Sequence, residues 1–402
     1  MTAVIALLDL DGVLIRPGGY RAAVEATLQY YIDCMGLKCN PPDSRVMSLF
    51  EALGVTSEWD MAPICLAVIL DRAAERIGQP LPPLDLSGVL EWVRQHSVEP
   101  FSIEYVQAVQ DLDRYLTLSV LPGEALLAHF KDGQRVSCFP RLAHQPFVQE
   151  LFTHTSDPYQ ADVTSILQQY VLGSENYQRS YDQPPTLQVD SVLVKNDRPL
   201  LEADLGACLA DLWRAERLHL ASFTARPSLP PRDVQESPRG YSPEAEMALG
   251  LVGLSDIPLI GYGRLQTLAR RRGISPDILM KPAPVQSLAA IYAAWTRREW
   301  PALQWAYDLV EAIQRGEPVQ NDSGHAAPLP AEIQLHVFED TVGGMVAGQQ
   351  AAVILQKIGF QVDLRCWGIS AHADKISALA SAGATVYPDV NQAMRVAFAG
   401  LL

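Results

Sequence analysis

One apolar run, closed by two aspartates, constrains this chain more than any other stretch. Residues 3–8 read Ala-Val-Ile-Ala-Leu-Leu, the length of a single strand buried on both faces, and Asp9-Leu10-Asp11-Gly12 follows at once. Strand alternation sets Asp9 and Asp11 on one side and turns Leu10 away, while Gly12 lets the backbone turn sharply. Two like charges held that close require a shared proton, or a cation between or beside them. An oxygen-only pair next to a glycine backbone suits magnesium, which commonly takes one or two carboxylates and a substrate phosphate. Read alone, the stretch also fits a strand end carrying two solvated aspartates.

At 402 residues the chain has room for two or three domains, and 48% hydrophobic with 19% charged residues describes a well-packed protein rather than a disordered one. Its formal charge of −15 repels nucleic acid and anionic membrane, so neither is an expected partner. A phosphate-bearing ligand must be met by local cations or a metal. The opening apolar run is too short for a signal peptide and has no basic region before it, and no run reaches membrane-spanning length. Cys34, Cys39, Cys65, Cys138, Cys208 and Cys366 are scattered without a CxxC pair, and no HExxH pattern occurs. Reduced thiols and a cytoplasmic location are the expectation.

Val24, Leu28, Tyr31 and Met35 recur at helical spacing until Gly36, and helical patterns continue to about residue 200. Helices are expected over 66–77 and 103–116, and around Val163, Ile166, Leu167 and Tyr170, with Asp157-Pro158 as cap and first turn. Residues 187–194 read as a strand or hairpin arm. From about 205 the pattern alternates between helices and short apolar strands, the signature of a doubly wound parallel sheet. Strands are expected over 218–223, 257–260, 333–338, 362–367 and 384–387, and helices around 205–212, from 242–244 onward, and around 265–272, 346–358 and 374–382, with a last one at the end. A long helical region covers 285–316, and a polar loop that reads as flexible covers 317–330.

In such a sheet every strand presents its carboxyl end to one crevice, so residues just past several strands converge there. Here those ends carry Asp9 with Asp11, then Thr224, Lys281, and Glu339 with Asp340. In this order they resemble the haloacid-dehalogenase-like (HAD) superfamily of phosphohydrolases. Asp9-Leu10-Asp11-Gly12 matches its DxDG motif. The strand running from Leu218 to Thr224, followed by Ala225-Arg226-Pro227, resembles the second motif in its T-G-R-P variant. Lys281 in Met280-Lys281-Pro282 resembles the third, and Phe338-Glu339-Asp340-Thr341 the fourth. The resemblance covers residues 1–16 and about 205–402. It implies a Rossmann-like α/β core of residues 1–17 and 205–402, with a large, mostly helical cap of residues 18–204 inserted between the first two motifs.

It also implies a reaction. Asp9 would attack phosphorus to give an aspartyl-phosphate that water hydrolyses, and Asp11 would serve as acid and then base. Mg2+ would be held by Asp9, Asp340 and the backbone carbonyl of Asp11, with Glu339 either a ligand or an acceptor behind the ligands. Thr224 would hydrogen-bond the phosphoryl group, and Lys281 would offset the carboxylates. The family often places a further acid a few residues past the fourth motif; here Gly343 and Gly344 stand there. Arg16, Tyr20 and Arg226 are candidate substrate contacts, and Tyr177, Arg179 and Tyr181 form a polar-aromatic group late in the insert. A large cap favours a small phosphorylated metabolite shielded from water. The expected activity is therefore a magnesium-dependent phosphatase. The alternatives are a phosphotransferase or mutase with the same nucleophile, or a non-catalytic scaffold whose insert binds a partner.

Overall fold

The computed structural model describes residues 2–402 apart from 97, 117–120, 132–135, 137, 144 and 318–327, so most of the expected polar loop at 317–330 lies outside the described residues. The chain folds as two compact units, one formed by Met1–Pro17 with Asp197–Leu402 and the other by Gly18–Asn196. The second crossing thus falls at 196/197 rather than at 204/205. Residues just after it belong to the first unit: Arg198–Pro199 pairs antiparallel with Ile15–Arg16, and the Leu200 N–H donates to the Leu14 carbonyl at 2.8 Å.

In chain order the strands of the first unit are β1 (Ala3–Leu8), β2 (Ile15–Arg16), β3 (Arg198–Pro199), β4 (His219–Phe223), β5 (Leu259–Ile260), β6 (Glu332–Glu339), β7 (Gln361–Ile369) and β8 (Thr385–Tyr387). β2 and β3 form a short ribbon, and the other six make one sheet in the order β5-β4-β1-β6-β7-β8, every pair parallel. Period-two alternation builds a core on each face of that sheet. Ile5, Leu7, Ala221, Phe223, Leu335 and Val337 pack on one side with the helices Pro284–Thr296, Glu299–Gln314 and Val342–Lys357. Ala6, Leu8, Leu220 and Phe338 pack on the other with Ala203–Arg214, Glu244–Leu251 and Val390–Ala397. Each fully buried leucine or isoleucine contributes about 1.5–3 kcal/mol, so the central strand β1 is well anchored. The helical region expected over 285–316 is two helices, because Arg297 takes a left-handed conformation (φ 59°) between them.

The second unit is helical among its described residues. Its spine is Glu58–Ile77, buried all round from Met61 to Leu70, as that unbroken apolar run requires. Residues 187–194 are not a strand. Their backbone groups are met by side chains instead: Gln169 accepts from the Leu187 N–H at 2.8 Å, Ser174 Oγ accepts from the Val189 N–H at 2.9 Å, and a short helix, Val192–Asn196, follows. The helix Asp162–Leu172 starts later than expected, because the Asp157 side chain closes a turn of its own by accepting from the Tyr159 N–H at 2.8 Å. Tyr177 and Tyr181 are buried, with ring centroids 5.1 Å apart, and Ser165 and Gln168 bond their hydroxyls, while Arg179 is an exposed partner of Glu175. No described helix is long and apolar enough to cross a membrane.

Candidate active site

The carboxyl ends of β1, β4 and β6, with the loop before Pro284–Thr296, bring four of the expected residues together. Asp9 follows the last residue of β1, and its N–H continues the sheet ladder to the Phe338 carbonyl at 3.1 Å. Lys281 reaches over from its loop to place Nζ 2.8 Å from Asp9 Oδ1, 3.4 Å from the Phe223 carbonyl, and against Glu339 Oε1. All three ammonium donors are thereby directed, and the Phe223 ring lies 4.4 Å from Nζ. Gln286, fully buried, holds the loop in place. It accepts from the Lys281 N–H at 3.2 Å and donates to the carbonyls of Thr224 (2.9 Å) and Ile260 (2.8 Å), stapling two strand ends to the lysine.

Glu339, the last residue of β6, is buried just ahead of the helix Val342–Lys357. Its Oε2 accepts from the N–H groups of Asp340 and Thr341, both at 2.9 Å, and from Thr341 Oγ1 at 2.8 Å, a setting that favours a carboxylate at a helix N-terminus. Asp340 points to the Asp9 side, and Lys375, from the helix Ala373–Ser381, donates to its Oδ2 at 2.6 Å. Two glycines make these approaches possible. A Cβ on Gly344 would stand 1.7 Å from Glu339 Oε1, and one on Gly12, where φ is +78°, would stand 2.3 Å from Asp340 Oδ2. Gly344 thus leaves the space that the buried Glu339 carboxylate fills.

Three acids here face two lysines, which leaves the cluster one negative charge in excess. Burial pushes the Asp9 carboxyl well above the ordinary range, with Lys281 opposing the shift and Glu339 and Asp11 adding to it. Burial also raises Asp340 despite Lys375. Lys281 is disfavoured as a cation by its burial, but Asp9 and Glu339 outweigh that and hold its pKa above the usual lysine value. Asp9 and Asp340, buried acids whose proton affinity is raised by their surroundings, are relieved by a further cation. Asp9, Glu339 and Asp340 each offer a carboxylate oxygen, all within 4.8 Å of one another, so the residues fit an oxygen-ligated divalent ion.

Asp11 is held differently. Arg226 grips its carboxylate with a fork, Nε donating to Oδ2 at 2.8 Å and Nη2 to Oδ1, while Nη1 donates to Asp197 Oδ2 at 2.7 Å. The two aspartates of the opening motif therefore each have a cation beside them, rather than one shared between. Arg226, expected as a substrate contact, is buried with three of its donors directed at the carboxylates of Asp11 and Asp197. Thr224 is buried at the end of β4, its Oγ1 accepting from the Arg226 N–H at 3.2 Å, and its hydroxyl proton can still be donated. Ser222 donates to the Leu8 carbonyl at 3.0 Å inside the sheet. Arg16 lies exposed on β2, and Tyr20 belongs to the helix Gly19–Cys34 of the second unit.

One solved structure shares this fold. An X-ray structure of a Northeast Structural Genomics Consortium target superposes with a TM-score of 0.63 at 15% identity, covering 99% of this chain and 99% of that one. A phosphatase, Tt82, from Thermococcus thioreducens aligns over 94% of this chain and 99% of its own, at 14% identity and a TM-score of 0.41. No family model matches the chain, and no curated relative does. The likeness is one of architecture.

Sequence reasoning passed over Asp197, Gln286 and Lys375, and it noted Gly344 only as an acid missing. None carries a motif. Gly344 alone left a trace, as half of a glycine pair in the first turn of a helix, where glycine is a poor choice unless something must come close.

Proposed function

We propose that this chain is a magnesium-dependent phosphohydrolase of the HAD type that cleaves a small phosphorylated metabolite through an aspartyl-phosphate on Asp9. The observation that carries the reading is the meeting of Asp9, Lys281, Glu339 and Asp340, from distant parts of the chain, at the carboxyl edge of one parallel sheet. A scaffold has no physical need to bury three acids and a lysine together, since such groups cost desolvation free energy that a structural role does not return.

In the reaction, an Asp9 carboxylate oxygen attacks phosphorus in line and the bond to the ester oxygen breaks, Asp11 giving its proton to the departing alkoxide. Water then attacks the same phosphorus, passing a proton to Asp11, and the bond to Asp9 breaks to release phosphate. Asp9, Asp340 and the Asp11 backbone carbonyl would hold the ion, with Glu339 within reach but largely spent on orienting Lys281. The bound ion would supply charge to the non-bridging phosphoryl oxygens and keep Asp9 ionised. Lys281 and the Thr224 hydroxyl bind the same oxygens as point charge and donor.

The test is hydrolysis of p-nitrophenyl phosphate with Mg2+. Turnover is expected, lost on chelation and reduced at least about a thousandfold in Asp9→Asn, as for removal of a nucleophile. Unchanged turnover in Asp9→Asn refutes the assignment, and absence of turnover across a broad phosphomonoester panel returns the chain to the scaffold reading.

A further inference from the structure

Resting on that reading, we infer that Arg226 is a positioning residue for Asp11, and that Asp197, where the chain re-enters the first unit, fixes Arg226 in turn. The guanidinium is 3% exposed as a residue and spans both acids, and the Asp197 side chain is fully buried. A planar fork that takes both oxygens of a carboxylate sets its plane as well as its position, which a lysine ammonium cannot do. Each carboxylate oxygen keeps a second lone pair, and the Asp11 side chain remains 36% exposed, so it is clamped on one side and open on the other. The backbone is fixed too: the Arg226 N–H donates to Thr224 Oγ1 at 3.2 Å, and the Arg226 carbonyl accepts from the Tyr262 N–H at 3.0 Å. Both the phosphoryl-binding hydroxyl and the acid thus hang on one residue.

The reason for two acids on one arginine is geometric. With Asp11 alone, the guanidinium could swing with its partner; Nη1 bonded to buried Asp197 pins it from behind, so Asp11 is the member held rather than the member holding. Loss of Asp197 should leave the pair formed but free to tilt. What suffers then is proton delivery to the leaving oxygen, and the binding of the phosphoryl group is spared.

This makes a demand on leaving groups that a merely structural role does not. An alkyl phosphate needs its departing oxygen protonated, whereas p-nitrophenolate leaves without help, and kcat/KM reports the first of the two displacement steps. For Asp197→Asn and Arg226→Lys, kcat/KM for glycerol 2-phosphate is expected to fall about tenfold further than kcat/KM for p-nitrophenyl phosphate. Equal losses on the two esters, or no loss, overturn the inference. Asp197→Asn serves as the milder variant should Arg226→Lys fail to fold. If the wild-type protein turns over neither ester, the phosphohydrolase reading fails by itself, and the positioning claim is judged by the crystal structure of Asp197→Asn: a displaced or disordered Asp11 carboxylate supports it, and one unmoved refutes it.

Discussion

Lys375 stands against Asp340 on the side where a divalent ion would bind, half exposed and 2.6 Å from Oδ2. A surface-accessible lysine of this kind is a modest counter-charge, worth up to about 1 kcal/mol. Lys375→Met is therefore expected to tighten Mg2+ binding roughly fivefold by isothermal titration calorimetry, since a competing cation is removed; weaker binding would mean that the lysine helps to build the site. His336 carries a different charge question, deep in the sheet. Its Nδ1 accepts from Trp367 Nε1 at 3.0 Å, which puts the ring proton on Nε2, where no partner is found among the described residues. Burial, with Arg365 adding to it, pushes the imidazole down to about 4. The unfolded chain takes up this proton near pH 6.5 and the folded one only near 4, so the contribution is complete above 6.5 and is lost as pH falls to about 4. Denaturant unfolding at pH 4.5 and 7 should show His336→Gln to flatten that dependence by on the order of 2–3 kcal/mol. An unaltered slope would place the acid sensitivity elsewhere.

At the scale of elements, the legible parts were those with a period. β1, β4, β6 and β7 fell where alternation and apolar runs put them, and the acids and threonine past the ends of β1, β4 and β6 were nameable because a parallel sheet aligns carboxyl ends, whereas Lys281, also expected past a strand end, follows the short 3-10 turn Pro276–Leu279 and enters from a loop. Tertiary spacing was not legible. Nothing in the sequence says that Glu339 turns inward toward the space at Gly344, that Arg226 faces Asp11, or that the Ser174 and Gln169 side chains meet the backbone at 187–189 in place of a strand partner. The helix Val342–Lys357 owes its close approach to Gly344, and Glu339 is too firmly bonded to move aside. Gly344→Ala is thus expected to destabilise the fold by about 2 kcal/mol, in the range of overpacked cores, and to displace Lys281 by way of Glu339. Thermal unfolding with kcat as a second readout checks it. A variant of native stability and activity would show that the carboxylate has room to shift.

On the scale of the whole molecule, charge and composition argued against some partners but named none, and the second unit was readable as helical without its helix pattern disclosing a ligand. Its ordered polar interior, with buried Tyr177 and Tyr181, comes from residues that look like surface in a linear reading because their partners, Ser165 and Gln168, are also polar. The proposed chemistry lies in the first unit and depends on Asp9 being the atom donor to phosphorus. A crystal structure with Mg2+ and beryllofluoride tests that most directly. The account predicts the beryllium bonded to an Asp9 carboxylate oxygen, the ion bridging Asp9 and Asp340, and Lys281 on the fluorides. A beryllofluoride bound elsewhere, or an ion held away from Asp9 and Asp340, would contradict it.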